Sequence, residues 1–416
     1  MIKAGAAVID ITPPPGLAMS GFAARSLPAK GVHDALTARA VVIDDTAVVV
    51  ADVIGIDAGM SARIRQRCVL PADNVVVAAL HNHGGPVSMA GRLGIPADPA
   101  YLERLEDACV AAIDRAAAHR RPATLSVGQG SDPGIARNRR HPGGPVDASL
   151  PLLRVRGAEG DMIALVTAYA CHPVVLSADN LLWTADYPHF ARRALEEAYP
   201  GAVALFMTGC AGDANTGHSA HASMSLGANP DRSFAAAERS GRAVAEAALA
   251  AEEHVVAGDA RALNGAVALG FERRERQAAA DLEQGWRREA IDAEPARKSL
   301  LGFWADWAGK IAPAIPEPLV ARITVLDWCG VPVVALPGEI FAETALTIRS
   351  ALGPAKPAFI VGFADDNPGY IPPASEFAYG GYEVDEAHRY YGLPMTFAPG
   401  SAEAIADCAL GFLKGD

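Results

Sequence analysis

The sequence predicts an α/β protein, with mixed sheets and flanking helices built into one large domain over residues 1–416 that carries a helical insertion. Three observations predict it. Short runs of Val, Ile, Leu and Ala alternate with amphipathic stretches, the pattern of strands covered on both faces by helices. Half of the 416 residues are hydrophobic, enough to bury a large core. No internal repeat or low-complexity tract breaks the alternation.

In chain order, MIKAGAAVIDITPPPG opens as a strand running into a turn. The runs 47–57, 74–80, 162–170, 202–209, 331–339 and 358–365 are too apolar to leave a face in water and read as buried strands. The stretches 99–119, 188–198, 232–253, 341–352 and 401–414 carry helical patterns. The segment 274–315 stands apart: it is charged, helix-prone and holds three of the five tryptophans, Trp286, Trp304 and Trp307. It reads as a helical insertion that is a lid, a contact between subunits of a homo-oligomer, or both, with an ordinary surface helix pair as the plainer alternative.

A formal net charge of −12 without a concentrated basic face argues against a nucleic-acid partner. No apolar run reaches the roughly 20 residues of a spanning helix, and the amino terminus lacks the apolar stretch of an export signal, so membrane insertion is not expected. The six cysteines (Cys68, Cys109, Cys171, Cys210, Cys329, Cys408) are scattered, form no CxxC pair, and are expected as free thiols in a cytoplasmic protein.

In open α/β sheets, ligand sites gather past the carboxyl ends of strands. VVAALHNHGGP ends on His81 and His83, which, two apart in an extended backbone, point to the same side. MIALVTAYACHP ends on His172, VPVVALPGE on Glu339, and AFIVGFADDNPGY on Asp365, Asp366 and Tyr370. AVALFMTG runs into Cys210, Asp213 and Asn215. Each has a plain alternative. A histidine after a strand can be a hydrogen-bonded loop residue, Glu339 can complement a helix dipole, and Asp213 or Asn215 can cap a helix. Tyr370 can be an aromatic wall, and the basic run RNRRH from Arg137 to His141 a solvated loop. Cys210 has no base nearby in sequence and reads as a small buried residue. Taken together, neutral imidazoles and a carboxylate with an open position are the ligand set of a hydrolytic zinc site.

The order HNHGGP, ARNRR, ACHP, GCAGDAN, LPGE and a tyrosine pair resembles the catalytic domain of the neutral/alkaline (non-lysosomal) ceramidases, from DITPPPG and GVHDALTARA through residue 382. Tyr370 and Tyr382 stand twelve residues apart, an interval similar to the family's between its zinc-ligating and substrate-side tyrosines. The resemblance implies one zinc per chain held by His81, His172, Glu339 and Tyr370. It implies His83 as a second-shell or substrate-facing histidine, Arg139 as the active-site arginine, and Tyr382 as the hydroxyl at the reacting centre. Arg137 and Asn138 are the neighbouring candidates for substrate binding, and the RNRRH run suits a substrate carboxylate.

Two departures shape the expected chemistry. Gly209 stands where the family has a serine, and the family's QxYE element becomes Gly380-Gly381-Tyr382-Glu383. Attack by water activated on zinc is therefore expected, with His83 and Tyr382 moving or stabilising charge and Arg139 with Tyr382 stabilising the oxyanion. The chain has no room for the family's additional immunoglobulin-like domain, which points to a small soluble substrate in place of membrane-presented ceramide. The expected activity is hydrolysis of a C–N amide bond in an N-acyl amine or N-acyl amino acid. The same zinc chemistry suits an ester or lactone. A decayed site would leave a non-catalytic metal-binding relative, and phosphoester hydrolysis at two metals would employ Asp186, Asp213, Asp365 and Asp366.

Overall fold

The computed structural model describes residues 2–93, 97–219, 229, 231–353 and 356–414. Nine strands share the main sheet, in the order Val203–Thr208, Met162–Tyr169, Leu150–Gly157, Arg121–Gly130, Lys3–Asp10, Thr37–Ile43, Thr46–Ala51, Val75–Ala79, with His254–Val256 beside Arg121–Gly130. The pair at each end of this order is parallel and the remaining pairs are antiparallel. Among the described residues, only two residue pairs, Lys3 with Pro122 and Ala4 with Arg121, join the two halves in the ladder. The halves meet, with Lys3–Asp10 against Met162–Tyr169 and Thr37–Ile43 against Val203–Thr208. Pro99–Ala118 packs on the first half, and Tyr187–Ala198 with Phe234–Leu249 on the second. Covered on both faces, Thr46–Ala51, Val75–Ala79 and Met162–Tyr169 are buried along their whole length, so they carry no polar alternation. A buried ion pair ties the layers: Arg192 grips Asp52 with two bonds of 2.6 and 2.9 Å.

A second sheet orders Ala260–Leu269, Leu319–Trp328, Val331–Ala335 and Phe359–Val361. Ser401–Lys414 packs on its first two strands and on the helix Ala342–Leu352. Isolated bridges from Ala78 to Ala364 and from Gly209 to Val361 join this sheet to the main one. They gather the carboxyl ends of three strands in one place.

The expected helices appear as Pro99–Ala118, Tyr187–Ala198, Phe234–Leu249, Ala342–Leu352 and Ser401–Lys414. The expected strands also appear, but three of them end earlier than their apolar runs. The run 47–57 is strand only to Ala51, because the carbonyl of Ile54 turns to accept from His81. The run 331–339 is strand only to Ala335: Gly338 takes φ +71° and Glu339–Ile340 starts a new pairing with Tyr370–Ile371. The run 358–365 gives Phe359–Val361, after which Phe363 and Asp365 adopt φ +57° and +60°. His81 itself has φ +65°, so the extended backbone expected between His81 and His83 is absent. Segment 274–315 folds as two packed helices, Ala279–Glu289 and Pro295–Lys310. All six cysteines are free, and among the described residues no helix is long and apolar enough to cross a membrane.

Candidate metal centre and active site

His81 follows Val75–Ala79, His172 follows Met162–Tyr169, and Glu339 follows the turn after Val331–Ala335. All three are buried, and their polar ends converge. His81 Nε2 lies 3.0 Å from His172 Nε2, and Glu339 Oε2 lies 3.4 Å from the first and 3.0 Å from the second. The other ring nitrogens are committed: His81 Nδ1 is 2.6 Å from the carbonyl of Ile54 and His172 Nδ1 is 2.5 Å from that of Ala211. A carbonyl only accepts, so each Nδ1 carries the proton. Burial pushes His172 down to about 4, which keeps its imidazole neutral. The Nε2 lone pairs therefore face one another and a carboxylate oxygen, an arrangement that repels itself unless a cation sits between them. Phe363 stacks on His81 at 4.0 Å and fixes the ring plane.

His83 stands at the edge of this trio, its ring 5.1 Å from that of His81 and 6.0 Å from that of His172. The three histidines bring one nitrogen each within 4.8 Å of one another and form a group able to hold a metal ion. Gly21 leaves the slot for the His83 ring, since a Cβ at residue 21 would lie 2.5 Å from its Cγ. Phe22 lines the same slot, and Arg25 Nη1 donates to the His83 carbonyl at 2.7 Å. Burial, then the neighbouring His81 and His172, hold the His83 pKa well below its usual value. Both its ring nitrogens are buried without a hydrogen-bond partner among the described residues.

Opposite stands Arg139. Its Nε donates to Glu383 Oε1 at 2.8 Å and its Nη2 to the Tyr370 hydroxyl at 2.9 Å. Burial works against this charge, but Tyr370 and Glu383 outweigh it and hold the pKa above the usual arginine value. Tyr370 pairs with Glu339 across the parallel two-residue ladder, and burial pushes its hydroxyl well up. Tyr382 opens a π-helical turn, Tyr382–Glu386, with its ring 5.8 Å from that of Tyr370.

The side chains of Arg137 and Asn138 are engaged by the chain itself. Arg137 is exposed and donates to the carbonyls of Gly134 and Ala136. Asn138 spends its amide on Asp213 and Pro145 and its carbonyl on the N–H groups of Arg140 and His141, so it shapes the loop. Within the basic run, Arg139 and Arg140 share Glu383 while Arg140 and His141 share Glu376. A substrate carboxylate finds no spare cation in Arg140. The acids of the two-metal alternative are also occupied. Asp186 accepts from Val175, Leu176 and Tyr187, and Asp213 from Asn138 and from Ala342 at the start of Ala342–Leu352. Asp365 pairs with Arg65, and Asp366 with Arg92. Cys210 is buried and its thiol pKa is raised by that burial, as suits a packing residue.

Tyr391 was not among the expected residues, and its hydroxyl donates to Glu339 Oε1. Nothing in the local RYYG sequence marks it, since a long-range contact leaves no spacing signal. The carbonyls of Ile54 and Ala211, which orient the two imidazoles, carry no side-chain signature at all.

A sequence profile described as neutral/alkaline non-lysosomal ceramidase, N-terminal, matches residues 2–376. The fold is similar to that of neutral ceramidase from Pseudomonas aeruginosa, with a TM-score of 0.76 and 18% identity over 98% of this chain and 73% of that one. A structure of ceramidase complexed with C2 matches with a TM-score of 0.73 and 18% identity over 99% of this chain and 75% of that one. No curated protein sequence matches the chain.

Proposed function

Because the chain belongs to the neutral/alkaline non-lysosomal ceramidase family, we propose that it is a zinc-dependent amidase that hydrolyses the C–N bond of a small N-acyl amine, with residues 1–416 acting as one hydrolase domain. The carrying observation is the trio His81 Nε2, His172 Nε2 and Glu339 Oε2, mutually separated by 3.0 to 3.4 Å. Ligands at about 2.0–2.2 Å from a tetrahedral zinc stand roughly 3.3 Å apart, so this trio fits one ion better than the wider three-histidine group. Two neutral imidazoles and one carboxylate leave a divalent ion its Lewis acidity, with which it polarises a carbonyl and acidifies water when bound. Tyr370, across the ladder from Glu339, is the candidate fourth ligand.

The remaining steps belong to the chain's own side chains. His83, neutral and unpartnered, accepts the proton of the attacking water and returns it to the leaving amine. Arg139, with its charge secured by Glu383, stabilises the oxygen that becomes negative, and Tyr382 donates beside it. Water is the nucleophile because Gly209 offers no hydroxyl. Asn138 holds the Arg139 loop in place. The paired state of Arg140 and His141 favours an N-acyl amine over an N-acyl amino acid.

The test joins elemental mass spectrometry to a product assay. About one zinc per chain, lost in His172→Ala, is expected, together with cleavage of an N-acyl amine faster than that of its matched ester. Zinc content unaffected by His172→Ala would sink the metal assignment, and a preference for the ester would reassign the bond.

A further inference from the structure

The tryptophan-bearing helices and the carboxylate of Glu339 are linked by a single turn of chain, Ala387–Tyr391. Trp286, Trp304 and Trp307 surround the guanidinium of Arg389, whose central carbon lies 5.3, 5.4 and 5.2 Å from the three ring centres. Arg389 also donates to Glu275 and to the carbonyl of Asp385, both at 3.2 Å. The indoles add directional bonds, Trp304 Nε1 to the Tyr390 hydroxyl at 3.1 Å and Trp307 Nε1 to the Leu393 carbonyl at 2.9 Å. Phe303 stacks on Tyr390 at 5.2 Å. The backbone on both sides of Tyr391 is therefore gripped by the insertion.

Tyr391 itself turns inward. Its ring lies edge-on to that of Tyr370 at 6.3 Å, and Gly369 gives it room, since a Cβ at residue 369 would stand 2.9 Å from its ring carbons. Its hydroxyl donates to Oε1 of Glu339, while Oε2 faces His81 and His172. A free carboxylate offers either oxygen, or both, to an ion. A phenol on one oxygen leaves the other as the sole ligand and fixes the plane in which it points.

We propose that Tyr391 is a positioning residue that makes Glu339 a one-oxygen metal ligand, and that the tryptophan cage around Arg389 holds Tyr391 in register. This assigns the insertion the task of bracing the metal carboxylate from behind. It rests on the metal reading given above. Outer partners of this kind are worth about 10- to 100-fold in metal affinity.

The experiment measures zinc affinity of the metal-stripped full chain by competition with a chromogenic chelator. The visible absorption of the cobalt(II)-loaded protein reports coordination number. Wild type is compared with Tyr391→Phe, Arg389→Met and Glu339→Ala. Tyr391→Phe is expected to bind zinc about 10- to 100-fold more weakly and to lower the cobalt absorption as the second oxygen coordinates. Arg389→Met is expected to shift affinity in the same direction, and the double variant to be less than additive, as for residues acting along one line. Unchanged affinity and spectrum in Tyr391→Phe, with zinc lost in Glu339→Ala, overturns the positioning role and leaves the metal site standing. Zinc retained in Glu339→Ala overturns the metal assignment itself. Unchanged affinity in Arg389→Met removes the insertion from the mechanism.

Discussion

Gly209 sits where a side chain has no room, since a Cβ there would lie 2.9 Å from both Cα and Cβ of Ala170. Those atoms are anchored to the backbone and cannot swing aside. A serine at this position strains the strand end in place of supplying a nucleophile. Gly209→Ser is expected to lose about 1–3 kcal/mol in urea unfolding, the usual cost of overpacking, and to gain no turnover. A serine variant both as stable as wild type and faster would show that a hydroxyl works there after all. His83 separates the two possible ligand sets. If it serves as proton carrier, His83→Gln keeps its metal and loses about 10²- to 10⁴-fold in kcat. Metal lost from that variant would make His83 a ligand and favour the three-histidine group.

The joint between the insertion and the site has its own acid response. Burial raises the Glu275 carboxyl, but the hydrogen bond and charge of His388, with Arg389, outweigh it and bring its pKa down from 4.5 to about 2. A depressed carboxyl contributes stability that is fully present above its unfolded pKa and lost as pH falls through the folded one. The gap in melting temperature between wild type and Glu275→Gln, measured on metal-free protein, should be full just above pH 4.5, because burial also lowers the pKa of the His388 partner. It should narrow between pH 4.5 and about 2. A gap independent of pH would mean that Glu275 acts by packing alone. The elements themselves were unevenly legible. Runs such as 74–80 and 162–170 announced themselves because strands buried on both faces must be apolar throughout. Thr37–Ile43 and Leu150–Gly157 did not, because Arg39 and Arg154 interrupt them, and the partners of those arginines, Glu196 and the Leu249 carbonyl, are distant in sequence. Ala58–Arg67 was hidden by its low hydrophobicity, although Asp57 caps it through the N–H of Met60. At the site, His81, His172 and Glu339 were legible as residues ending apolar runs. Tyr391 and the carbonyls that set the imidazole tautomers were not, because tertiary contacts alone define them.

The proposed ligand trio spans the molecule. His81 issues from one half of the main sheet, His172 from the other half, and Glu339 from the end of a strand in the second sheet. Among the described residues the two halves share a ladder of only two residue pairs, with the buried Arg192 and Asp52 as a further clamp. An ion held by all three would close a link between layers that the backbone hydrogen bonds leave thin. Since the trio does not exist in the unfolded chain, binding free energy becomes folding free energy. The stabilisation grows with free metal, reaching about 4 kcal/mol when the ion stands at 1,000 times its Kd. Stripping the metal is therefore expected to lower the melting temperature of the whole chain in a single transition, and titrated zinc to restore it with the logarithm of concentration. His172→Ala should melt at one temperature with or without chelator. A wild-type protein that loses its zinc by elemental analysis and melts unchanged would show that the layers hold without it. The role of the ion would then be confined to chemistry.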